Sequence, residues 1–217
     1  MRQLFIGIIV GSVWALNGAE ASPNARQAVA IIQEPVQASS PSFIKDYGFT
    51  LAPLAFVKFC VANGAECEAR PRKQEGAAFS LNDLSAVNQW VNDAIAPRRK
   101  PTDPLSANWT ISPASGDCND YAVTKRSRLI AAGWPSDLLR LAVVITPTGQ
   151  GHLVLVVRTG EGDVVLDNLS RDVRPWQETG YDWVSMQSSE NPRFWVAIGD
   201  RGRLRQQKLQ ALAANLN

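Results

Sequence analysis

The chain has 217 residues, of which 45% are hydrophobic and 19% charged, and a formal net charge of +2. That composition supports one sizeable core and not two. The one basic cluster, Arg98-Arg99-Lys100, sits between Pro97 and Pro101 with no interleaved aromatic residues, so nucleic acid is excluded as an expected partner.

Met1-Arg2-Gln3, the apolar run Leu4 to Leu16 and then Ala19-Glu20-Ala21 have the order of a charged n-region, an h-region and a small-residue cleavage site. A signal peptide over 1–21 is therefore expected, with cleavage after Ala21 and a mature chain in the periplasm or secreted. The run is too short for a comfortable membrane span. Residues 22–49, rich in Ser, Pro, Gln and Ala, read as a mobile lead-in. A single domain is expected over 50–200, followed by a tail over 201–217 in which Leu204 to Leu212 can form a short helix.

Pro53 to Asn63 has helix-favouring order, with a proline in the tolerated first turn and Leu54, Val57 and Val61 at helical spacing. The next helix has the strongest signal: Ser80 with Asp83 resembles a capping box, and Leu84, Val87, Val91 and Ile95 form one apolar stripe that stops at Pro97. Asn88 and Asn92 lie one turn apart beside that stripe, on what is expected to be a solvated face, with a cleft-facing position as the alternative. Pro97 to Ser115 reads as a long surface loop, a length that often carries function. A third helix starts at Gly116-Asp117-Cys118-Asn119-Asp120-Tyr121 and runs to the breakers Gly133-Trp134-Pro135.

The period then changes from helical to alternating. Strands are expected at Leu139 to Thr146, His152 to Arg158, Val164 to Asp167, Trp183 to Met186 and Phe194 to Ile198, with turns at 147–151 and 159–163. A helix-rich first half followed by an antiparallel meander is an α+β arrangement.

Cys118 at the first turn of a helix sits in the positive end of the macrodipole, which favours thiolate over thiol. His152 is the only histidine in the chain. It begins a strand apolar on both faces, where a polar ring needs a partner. Any even-residue loop within 159–163 places His152 and Asp167 on one face of a hairpin. The order Cys118, His152, Asp167 is that of a nucleophile, a base and an orienting acid; the blander alternative is a small buried thiol, a core histidine and a turn acid.

Export bears on the other cysteines. If Cys60 and Cys67 pair, Cys118 is left free in an oxidising compartment. Seven residues apart on a continuous helix their Cα atoms would be about 10 Å apart, too far for a disulfide. The first helix is therefore expected to stop between them, at Asn63-Gly64.

The segments Gly116 to Tyr121 with Lys125 and Leu129, Gly151-His152-Leu153-Val154-Leu155 and Val165-Leu166-Asp167-Asn168 resemble the bacterial transglutaminase-like cysteine proteinase family. Phe59-Cys60 with Cys67, Val91-Asn92 and Trp109 resemble its first half. The resemblance implies a papain-like or transglutaminase-like core, with Cys118 on a helix packed against a sheet that bears His152 and Asp167. It also implies a protein substrate, in the best-known members a large surface adhesin, and restraint by an inner-membrane receptor for cyclic di-GMP. Calcium is implied too, held by residues flanking the nucleophile, here Asp117, Asn119 and Asp120. The family motif has Glu where Asn119 stands, so weaker calcium binding is expected.

The chemistry expected is amide cleavage through an acyl-enzyme, with the backbone N–H of Cys118 as part of an oxyanion hole. Resolution by water gives a protease and by an amine a transglutaminase; the resemblance favours water. A non-catalytic exported protein that binds peptide or calcium is the alternative from another class.

Overall fold

The computed structural model describes residues 41–70, 80–100, 103 and 106–214, all within one compact unit spanning 39–217. The expected signal peptide and most of the lead-in lie outside these residues. In chain order the strands and α-helices are β1 (Asp46–Thr50), α1 (Leu54–Ala62), α2 (Leu81–Ala94), β2 (Ala96–Pro97), β3 (Ser115–Gly116), α3 (Cys118–Ala131), β4 (Leu139–Ile145), β5 (Gly151–Thr159), β6 (Gly162–Leu166), β7 (Arg174–Pro175), β8 (Asp182–Gln187), β9 (Trp195–Ile198) and α4 (Gly199–Ala214). Seven strands form one sheet in the order β1-β9-β8-β4-β5-β6-β7. Every pairing within it is antiparallel. The fold is α+β, as the change of period predicts.

Alternation along the central strands feeds two cores. Leu139, Leu141, Leu153, Leu155, Val157 and Leu166 meet Leu84 of α2 and Ala122, Val123 and Leu129 of α3. The intervening residues Ala142, Val144, Val154, Val156 and Val165 form a second cluster with Trp183, Met186 and Ile198. Leu129, Leu139, Leu155 and Leu166 are fully buried, each contributing about 1.5–3 kcal/mol of transfer free energy. The central strands therefore lack the polar face of a half-exposed sheet.

Three features differ from expectation. The lead-in assigned to 22–49 ends in ordered chain: Ile44 is buried, its N–H donates to Asp163 Oδ2, and β1 pairs with β9. An edge strand with its partner some 150 residues away leaves little trace in local composition. On α1 the buried side chains are Ala55, Phe56 and Phe59, whereas Leu54, Val57 and Val61 are exposed. Phe56 packs on Trp109 and Trp195, and Phe59 on Trp109, so aromatic area decided which of two apolar faces turned inward. Asn88 is fully buried rather than solvated.

The Cys60–Cys67 disulfide is formed, with Cα atoms 5.6 Å apart, and Cys118 is free. As the spacing requires, α1 stops at Ala62 with Asn63 as its C-cap, and a 3-10 turn over Gly64–Cys67 brings the second sulfur back. Buried Arg126 of α3 ties this loop down, donating to the carbonyls of Glu66 and Leu139.

Candidate active site

Cys118 is the first residue of α3, and Asp117 is the N-cap of a complete capping box: its side chain accepts N–H groups of the first turn while Asp120 reaches back to the Asp117 N–H. The returning carboxylate explains Gly116. A Cβ there would stand 2.3 Å from Asp120 Oδ2, so any side chain displaces the residue that shapes the helix start.

His152 is the second residue of β5 and Asp167 the first beyond β6. Pairing of Thr159 with Gly162 leaves a two-residue loop, and Leu155 lies opposite Leu166. Continued by one residue, that register puts Asp167 opposite Val154, two positions from His152 and on its face. This diagonal is within reach of long side chains, and His152 Nε2 lies 2.8 Å from Asp167 Oδ1. The Cys118 thiol acts on the same ring and helps to raise its affinity for a proton. Cys118 packs against the first core and Tyr181 against the second, so the site lies where the two cores meet.

The electrostatics favour a charged imidazole. Burial disfavours the cation, but the hydrogen bonds to Asp167 and then to Cys118 outweigh it, and His152 is raised to about 9. For Asp167, burial pushes upward and is outweighed by His152, the Leu169 N–H and the Tyr181 hydroxyl, so the carboxyl is held below its usual value. The Leu169 N–H donates to Oδ1 at 3.0 Å and the Tyr181 hydroxyl to Oδ2. Tyr181 also meets the His152 ring edge-on, with centroids 5.8 Å apart.

Two supports were not assigned from sequence. Asn92 Nδ2 donates to the carbonyls of Asp167 and Ser170, and Asn88 Nδ2 to those of Ser170 and Arg171. Together they clamp the loop that carries Asp167 onto α2. Their spacing of one helical turn is the only signal the sequence holds. Tyr181 has none, because the chain that follows β7 reaches the site only through sheet topology. Beneath the site, Lys125 of α3 is fully buried and its Nζ makes no hydrogen bond. Burial lowers it to about 7, against the pull of Asp167.

The residues expected to hold calcium are placed differently from a metal shell. Asp120 is fully buried. Its Oδ1 takes Lys100 Nζ at 2.6 Å and the Thr110 N–H at 2.8 Å, and its Oδ2 takes the Asp117 N–H at 2.9 Å. Asp117 is occupied as the cap, and Asn119 is half-buried beside it. Among the described residues no group of three or more His, Cys, Asp or Glu side chains could hold a metal ion. The donor set as it stands does not fit calcium, because the oxygens of Asp120 are already taken by N–H groups and an ammonium.

A cysteine at a helix start, acting on a histidine that an acid orients, is what a thiol protease requires. The model of the bacterial transglutaminase-like cysteine proteinase family, BTLCP, matches residues 46–203. The chain belongs to that family and is a cysteine protease. Among solved structures it is similar to LapG of Legionella pneumophila. The calcium-bound form is 23% identical, with 68% of this chain and 82% of that one covered and a TM-score of 0.46. The EGTA-treated form is 24% identical, covering 70% and 84% with a TM-score of 0.45. A further LapG structure is 25% identical, covering 77% and 92%, also at 0.45. No protein of curated function matches the chain.

Proposed function

We propose that this chain is an exported endopeptidase that cuts a protein amide bond through Cys118, His152 and Asp167. The observation that carries the reading is the contact of His152 with Asp167, with the ring also under the influence of the thiol of the first residue of α3. The thiolate of Cys118 attacks the scissile carbonyl carbon, and the backbone N–H of Cys118 donates to the oxygen on which charge develops. His152, protonated near neutral pH, gives its proton to the departing amine nitrogen as the C–N bond breaks, leaving a thioester on Cys118. Neutral His152 then takes a proton from water, whose oxygen attacks the thioester, and release of the acid restores the thiolate. Throughout, Asp167 holds the ring in one orientation and stabilises its cation.

Export is supported by the leader-like pattern over 1–21 and by the disulfide, which belongs to oxidising compartments. The periplasm is the proposed location. The proposed substrate is a surface protein of the adhesin type, and an inner-membrane cyclic di-GMP receptor is the proposed restraint; both come from the family resemblance alone.

Mass spectrometry of envelope and released proteins, comparing cells that carry the native chain with cells that carry Cys118→Ala, tests the reading. New carboxyl termini of unmodified mass should occur with the native chain only. Termini joined to an amine would mean acyl transfer instead of hydrolysis, and identical fragments with Cys118→Ala would defeat the proposal.

A further inference from the structure

We infer that the ammonium of Lys100 is the resident cation at the start of the nucleophile helix, and that the chain takes up no calcium there. Lys100 Nζ lies 2.6 Å from Asp120 Oδ1 and 2.8 Å from the backbone carbonyl of Asn108. A carboxylate oxygen and a peptide oxygen converging on one point are the hard donors a divalent cation would use. Here that point holds a charge the chain supplies itself. The lysine side chain is 14% exposed and its partner wholly buried, so the contact is shielded from solvent and salt far more than a surface ion pair.

The placement is built into the backbone. Ala96 pairs with Ser115 and Pro97 with Gly116 in a short parallel ladder, and the Arg98 N–H donates to the Gly116 carbonyl. The stretch that ends in Lys100 is thus laid alongside the residues that lead into Cys118. Thr110 closes the other side by donating its N–H to the same Asp120 oxygen.

Charge accounting agrees. Asp117 and Asp120 place two carboxylates beside the nucleophile, and position 119 is a neutral amide. One ammonium leaves this group at minus one. A calcium ion added to it would meet a like charge at the position both would occupy, with Asp120 already accepting three donors. Calcium needs six to eight oxygens, and no acidic cluster among the described residues offers them.

The inference stands apart from the proposed reaction, because its test reads metal binding and folding rather than turnover. The full chain, stripped with chelator, is titrated with calcium by calorimetry and melted in calcium and in EGTA. A site filled at about a hundred times its dissociation constant would raise Tm by roughly 5–10 °C in a chain of this size. The expected result is no saturable heat and the same Tm in both solutions. Saturable binding, or a rise of that size, would overturn the inference without touching the reaction. Lys100→Met should lower Tm by about 6 °C or more, since it leaves a buried carboxylate without its counter-charge. Should that variant not fold, the native titration still decides; should it keep the native Tm, Lys100 is not the cation the helix start relies on.

Discussion

The Tyr181 hydroxyl donates to Asp167 Oδ2, the carboxylate oxygen opposite the one that meets His152. Asp167 is thereby held from two sides, by His152 of β5 and by a residue in the connection that leads into β8. Tyr181→Phe keeps the edge-on ring contact and removes only the donor. A hydrogen bond to a charged group contributes about 1.5–3 kcal/mol, so kcat should fall by roughly 10- to 100-fold with KM little changed. Steady-state kinetics on a cleaved peptide check this; an unchanged kcat would mean that Asp167 needs no support from Tyr181.

Cys118→Ala and His152→Ala should each abolish turnover, and the double variant should be no worse than either alone, because the residues act as a unit. Asp167→Asn should retain weak activity, since Asn168 and Leu169 still shape the loop but the imidazolium loses its counter-charge. Single-turnover assays of the four variants distinguish this pattern from independent contributions. Appreciable turnover by His152→Ala would refute the mechanism, as the chain has no second histidine.

Two buried groups should give stability a characteristic dependence on pH. His152 is raised from 6.5 to about 9 on folding. The folded chain therefore binds more protons than the unfolded one between those values, and stability from this group is present below pH 6.5 and lost as pH rises through 9. Lys125 is lowered from 10.5 to about 7. There the unfolded chain binds more protons, and stability increases as pH rises from 7 towards 10.5. The two slopes oppose each other between pH 7 and 9. Lys125→Met should thus steepen the loss of stability across that window, and His152→Ala should turn it into a gain. Urea midpoints measured from pH 6 to 10 on the three proteins provide the check.

Gly116→Ala should be destabilising although the backbone there needs no glycine conformation. The added methyl would meet Asp120 Oδ2 at 2.3 Å and its Cβ at 2.7 Å, and that side chain is locked by Lys100, Thr110 and Asp117. Overpacking of this kind costs about 1–3 kcal/mol. Tm should fall, and the capping box should loosen at Cys118. A variant that melts like the native chain would show that Asp120 can move freely.

Local patterns located nearly every element around the site. The Ser80 and Asp83 capping box starts α2, the Gly133 break ends α3, and turn residues delimit the strands, because caps and periodicity are properties of neighbours in sequence. The same locality explains the failures. Leu54, Val57 and Val61 have the spacing of a buried face, yet Phe56 and Phe59 win because Trp109 and Trp195 lie on their side. β1 went unread because its partner β9 follows almost the whole domain.

From the sequence alone came the chemistry: a lone histidine, a cysteine at a helix start, an acid that any even-residue loop puts on the histidine's face, and two cysteines that can pair only where a helix stops between them. These follow from residue types and short separations, which the chain carries whether folded or not. Tertiary structure alone decided the diagonal register of His152 and Asp167, the Tyr181 support, the Asn88 and Asn92 clamp and the contact of Lys100 with Asp120. Each joins residues from different elements, and only burial supplies the reason for them: a carboxylate taken out of water must find donors, and which donors are near is a property of the packed chain.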